Sequence, residues 1–103
     1  MINFYKYLFN LLDIKISINE IKKECNYYEN KPLLFNISDS LFKWNIKNMM
    51  VRLTPSHIHK IPIPAIISKI NTDGGFDILK EYKDDNLFIF DSKTKKIITI
   101  KLN

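Results

Sequence analysis

Apolar residues recur at helical spacing in the first half of the chain and at alternate positions in the second. Phe4, Leu8, Leu11 and Leu12 share one helical stripe, which Phe9 and the neighbouring tyrosines widen, so residues 3–12 are predicted to form a largely buried helix. Ser17 and Glu20 have the Ser-x-x-Glu spacing of a capping box, in which hydroxyl and carboxylate satisfy each other's free backbone amides. A second helix should start there, with Ile18, Ile21 and Cys25 turned inward and Glu20, Lys22, Lys23 and Glu24 toward water. After a polar, proline-ended link over residues 26–32, Asn36 and Asp39 mark a third helix. Its inner face is Ile37, Leu41 and Trp44, and Asn45 ends it.

The period then changes. Met49, Val51 and Leu53 alternate with Asn48, Met50 and Arg52, as in a strand with one face on a core. Thr54-Pro55 is a cap followed by proline at a first helical position, which predicts one short turn over 55–59. Ile61-Pro62-Ile63-Pro64 must be extended, because each proline disfavours helical geometry in the residue before it. Residues 65–70, 76–82, 87–91 and 97–102 are apolar or alternating runs, separated by turn-forming residues at 71–75, 83–86 and 92–96. The expected fold class is α+β, with N-terminal helices packed on a C-terminal antiparallel sheet built mainly from residues 48–102. At 103 residues, without repeat or linker, residues 1–103 read as a single domain.

Composition supports a packed core, since hydrophobic residues make up 46% of the chain and charged ones 26%. The net charge of +5 raises the question of nucleic acid, but of 16 basic residues only Arg52 carries the planar guanidinium that favours base-edge and phosphate readout. No nucleic-acid partner is expected. Met1 to Leu12 is interrupted by Lys6 and has no small-residue cleavage site after it, so it reads as a core helix and not a signal peptide. No apolar run approaches the ~20 residues of a transmembrane helix. A membrane would therefore be reached only through other segments or partners.

The residues that could carry chemistry are few. His57 and His59 lie two apart with no third acidic, His or Cys ligand nearby, so no metal site is expected. Cys25, the one cysteine, has the helical phase of a core residue and no cationic neighbour to activate it. Asp73-Gly74-Gly75 leads into a strand, which makes it a hairpin turn and not a phosphate loop. Asp84, Asp85 and Asp91 read as turn carboxylates, and Lys93, Lys95 and Lys96 as a solvated hairpin tip. Taken alone, these residues name no enzyme and no cofactor.

Five short stretches in order carry a resemblance. Ile63-Pro64-Ala65-Ile66-Ile67 is followed by Gly74-Gly75-Phe76-Asp77-Ile78-Leu79 and then by Phe88-Ile89-Phe90-Asp91-Ser92. Upstream lie Ile16-Ser17-Ile18-Asn19-Glu20-Ile21 and the run from Leu33-Leu34 through Ile37 to Trp44-Asn45-Ile46. Together they resemble the bacteriocin-processing cysteine peptidases, which cut double-glycine leaders, over roughly residues 3–102. In that family a Leu-Pro-x-Pro-or-Ala-Ile strand precedes a Gly-His-Phe-Val-Val-Leu strand, and an Asp-Pro pair ends the next. The stretch from Lys31 to Leu53 is similar to divergent versions found at the start of bacterial membrane proteins with vitamin K epoxide reductase and thioredoxin-like domains.

The resemblance implies a papain-like fold and also draws attention to departures. The family's nucleophilic cysteine would fall at or just before Met1, and its histidine at Gly75, which has no side chain. Only Asp91 matches the third catalytic group, and an orienting carboxylate has no role without nucleophile and base. Gly75 and Asp91 then read as vestigial positions, and the chain as no enzyme: a degenerate, non-catalytic domain binding a peptide or a neighbouring protein domain in bacterial export or maturation. Phe76 and Asp91 are its expected binding residues, in a groove between helices and sheet. The alternatives are a structural N-terminal domain of a membrane protein and a truncated cysteine peptidase. The implied location is the bacterial cytoplasm or the cytoplasmic face of the membrane.

Overall fold

A computed structural model gives the protein's structure, and it describes residues 2–27, 34–51, 54–68 and 76–101. Three helices come first: α1 (Ile2–Leu12), α2 (Ile18–Tyr27) and α3 (Leu34–Lys43). A 3-10 helix, η1 (Pro55–Lys60), leads to a four-stranded antiparallel sheet of β1 (Ala65–Ser68), β2 (Phe76–Lys83), β3 (Asn86–Asp91) and β4 (Lys96–Lys101). Spatial order equals sequence order, β1-β2-β3-β4. The protein is thus α+β, with its helices ahead of its sheet.

The helix ends follow from local chemistry. At the start of α2 the Ser17 hydroxyl oxygen accepts the Glu20 N–H at 3.2 Å, the forward half of the expected capping box. Both α1 and α3 stop in a left-handed residue that is not glycine, Asp13 (φ 55°) and Asn45 (φ 61°). In each, two backward hydrogen bonds satisfy carbonyls that the helix leaves open. Ile14 N–H donates to Phe9 and Asp13 N–H to Asn10, while Ile46 N–H donates to Leu41 and Asn45 N–H to Phe42. At η1, Thr54 takes the extended cap conformation and its carbonyl accepts the His57 N–H at 3.0 Å.

The sheet is buried on both faces at its centre. Phe76, Ile78 and Phe90 pack with Phe4, Tyr5, Leu8 and Phe9 of α1, Ile21 of α2, and Ile37 and Leu41 of α3. The ring of Tyr7 stacks on Phe90 at 4.0 Å, and Trp44 stands edge-on to Tyr5 and Phe9 at 5.2 and 5.3 Å. On the opposite face Leu79, Leu87 and Ile89 form a smaller core against Ile58 of η1, Ala65, Ile67, Tyr82 and Ile98. A β-bulge between Leu79 and Glu81 serves both cores. Strict alternation would turn Tyr82 to the helix side with Ile78; the extra residue, Lys80, turns it to the side of Leu79 and Leu87.

Three expectations are corrected. The strand expected from Asn48 does not form over the described part of that stretch: Met49, Met50 and Val51 are exposed and outside the sheet, which runs over residues 65–101. Instead the Asn48 side-chain amide donates to the carbonyls of Ser38 and Ile46, fastening the chain to α3. Asn36 is not a cap: it lies inside α3, buried, with its Nδ2 making no hydrogen bond. Glu24 does not face water but turns toward α3, where it accepts the buried Ser40 hydroxyl at 2.8 Å and pairs with Lys43 at 3.2 Å. Arg52, Leu53 and the turn at 71–75 lie outside the described residues.

Candidate functional site

The site expected from sequence sits where β2 begins and β3 ends. Antiparallel pairing of Ile78 with Phe90 brings Phe76 and Asp77 beside Asp91 and Ser92. Ser92 binds these ends together. Its hydroxyl donates to the Phe76 carbonyl at 2.6 Å and lies 3.3 Å from Asp77 Oδ1, and its N–H donates to the same carboxylate oxygen at 3.2 Å. Asp77 is 7% exposed, and in that buried setting its side-chain oxygen accepts the Ser92 N–H.

Asp91 is half-buried at the sheet's end. Its Oδ1 accepts the Lys93 N–H at 3.0 Å and its carbonyl accepts the Lys95 N–H at 2.7 Å, so the turn into β4 holds its side chain. Lys95 takes a left-handed conformation (φ 60°) to close that turn. Phe76 contributes differently from what a binding residue would: at 6% exposure its ring belongs to the helix-side core. Of this pair, Asp91 is the one that reaches solvent. Gly75 and Met1, the other two positions that the resemblance singled out, lie outside the described residues. Asp77 and Ser92 were not singled out from sequence: an Asp within an apolar strand and a Ser directly after the matched Asp are visible there, but what brings them together is strand register.

The remaining candidates lie elsewhere. Cys25 is half-buried on α2, packed against the helix-side core, and burial pushes its thiol above the ordinary value. Its helical phase predicted a buried core residue; the side chain is half-buried, and its partner in that phase, Ile18, is 42% exposed. His57 and His59 are exposed on η1, where the Thr54 hydroxyl lies 2.8 Å from His57 Nδ1. Among the described residues no three His, Cys, Asp or Glu side chains gather in a way that could hold a metal ion. None of the helices described is long and apolar enough to cross a membrane. A cleft of about 410 Å³ opens between α1 and α2, lined by residues including Lys6, Phe9, Lys15, Ser17 and Ile21. No residue of the sheet lines it, so it is separate from the groove expected beside Asp91.

One protein-family model, described as the peptidase C39 family, matches residues 3–103. No curated protein and no solved structure matches the chain. The family match corrects the reading that the chain is no enzyme, because it points to cysteine peptidases. That exclusion rested on the position at or before Met1 and on Gly75, neither of which the described structure contains.

Proposed function

The chain belongs to the peptidase C39 family, and from that premise we propose that it handles double-glycine leader peptides in a bacterial export or maturation system, holding the leader in extended form beside Asp91. The papain-like arrangement implied by the resemblance is in keeping with helices that precede an antiparallel sheet. One observation supports this reading: the Ser92 hydroxyl on the Phe76 carbonyl ties the end of β3 to the start of β2, with the half-buried Asp91 beside them. Extended peptides gain affinity from backbone hydrogen bonds and specificity from pockets for alternate side chains. Phe76 acts from beneath, as the core residue that fixes the strand, while Asp91 meets the ligand.

The test is a titration of the protein with a leader peptide ending in Gly-Gly, followed by backbone amide shifts and by mass spectrometry of the same samples. Shifts clustered at residues 76–78 and 91–93, weakened by Asp91→Ala, are the expected result. No shift there across several leaders would refute the proposal. Fragments ending at the Gly-Gly pair would add turnover to binding.

A further inference from the structure

Among the described residues the last strand is paired on one side. β4 pairs with β3 along all six of its residues, and the order β1-β2-β3-β4 leaves its other edge without a strand among the described residues. It is also the most open strand: only Ile98 is half-buried, and Ile97 and Ile100 are 42% and 40% exposed. By register, Lys96, Ile98 and Ile100 share the face of Leu87 and Ile89, while Ile97, Thr99 and Lys101 share the helix-side face of Phe90. Each face thus combines apolar or β-branched residues with one terminal lysine.

The existing neighbour demonstrates what this strand accepts. β3 sets Asp91 opposite Lys96, apolar residues opposite Ile97, Ile98 and Ile100, and the polar Asn86 opposite Lys101. Lysines on an open edge repel strands that bring apolar or basic residues against them. Two β4 strands paired with Lys96 against Lys101 would set like charges directly opposite, which is unfavourable. A strand carrying carboxylates at those two positions meets no such barrier. Lys93 and Lys95, exposed in the adjoining turn, strengthen the positive field at the Lys96 end.

We propose that β4 is a docking edge for an extended segment of a protein partner, with a β-branched apolar centre and a carboxylate at each end, one facing Lys96 and the other Lys101. The interaction adds a fifth strand to the sheet by main-chain pairing, with the lysines selecting the partner. It is separate from leader binding beside Asp91.

The probe is the capped hexapeptide Glu-Val-Thr-Ile-Val-Glu, compared with Lys-Val-Thr-Ile-Val-Lys at low ionic strength, where surface charge pairs are least screened. Both are titrated into the protein and followed by amide shifts. The Glu-ended peptide should move the amides of residues 96–101 and bind about fivefold more tightly than the Lys-ended one, as two favourable cross-strand pairs allow. The double variant Lys96→Glu/Lys101→Glu should invert the preference. Equal affinity of both peptides for both proteins would overturn the proposal. So would shifts confined to residues 76–78 and 91, or a β4-paired dimer that the Glu-ended peptide leaves intact.

Discussion

Replacing Ser92 with alanine probes the lock at the candidate site directly. The hydroxyl has one proton, and the shorter contact, 2.6 Å to the Phe76 carbonyl, takes it. Ser92→Ala therefore removes that bond and leaves a part-buried carbonyl without it. Asp77 keeps the Ser92 N–H at 3.2 Å, so the buried carboxylate is not abandoned. A net hydrogen bond of this kind plus the cost of the unpaired acceptor amounts to about 1–2 kcal/mol. In a domain of this size each kcal/mol corresponds to roughly 4–8 °C in Tm. Urea unfolding of wild type, Ser92→Ala and Ser92→Thr measures it, with threonine retaining the hydroxyl and most of the stability. If alanine lowered stability by less than about 0.3 kcal/mol, well below the range for a net hydrogen bond, or if threonine cost as much as alanine, the lock would have no energetic content. The reasoning about Asp91 would fail with it.

Two further outcomes are expected. Cys25 should react with a thiol reagent more slowly than a free cysteine at neutral pH, since burial raises its thiol and keeps it protonated. Because the folded state resists ionising it, its linked stability is fully present below the unfolded thiol value and is lost as pH climbs toward the raised one; rapid labelling of the native protein at pH 7 would contradict this. Lys95→Gly should raise stability by about 0.5–1 kcal/mol, as left-handed geometry costs a lysine more than a glycine, and a loss of stability in denaturant melts would show that the Lys95 side chain contributes contacts of its own.

Sequence periodicity revealed elements whose determinants are local. The Ser17 cap, the left-handed stop at Asn45, the short turn at Pro55 and the strands from Ala65 onward all follow from residue chemistry within a few positions. The turn at Asp84-Asp85 belongs with them: both residues have positive φ, which fits a two-residue hairpin loop between Lys83 and Asn86. Alternation failed at Met49 and Val51 because a period of two predicts a strand only where a neighbour exists to pair with it, and Asn48 had already committed its side chain to α3. Glu24 and Ser40 were illegible for a related reason. Each reads as a surface residue by type, and only helix packing places them together. The bulge was illegible too: that Leu79 and Tyr82 share a face three positions apart, where two or four would be regular, follows only from the packing and register.

Asp91 was legible through the resemblance, while its companions Asp77 and Ser92 depended on strand register, which a single sequence does not specify. The ring of Phe76, expected beside a peptide groove, lies in the helix-side core, where an aromatic at the start of a strand facing α1 is well placed.

The meander has a consequence for the order of assembly. Each strand pairs with its sequence neighbour, and the β2–β3 connection spans only Asp84 and Asp85. Closing so short a loop costs little chain entropy, so this hairpin can pair before any distant segment is recruited. The expected order then has the helices docking onto the face that carries Phe76, Ile78 and Phe90. Substitutions in the β2–β3 hairpin should slow folding, whereas those at the Glu24–Ser40 contact between α2 and α3 should mainly accelerate unfolding.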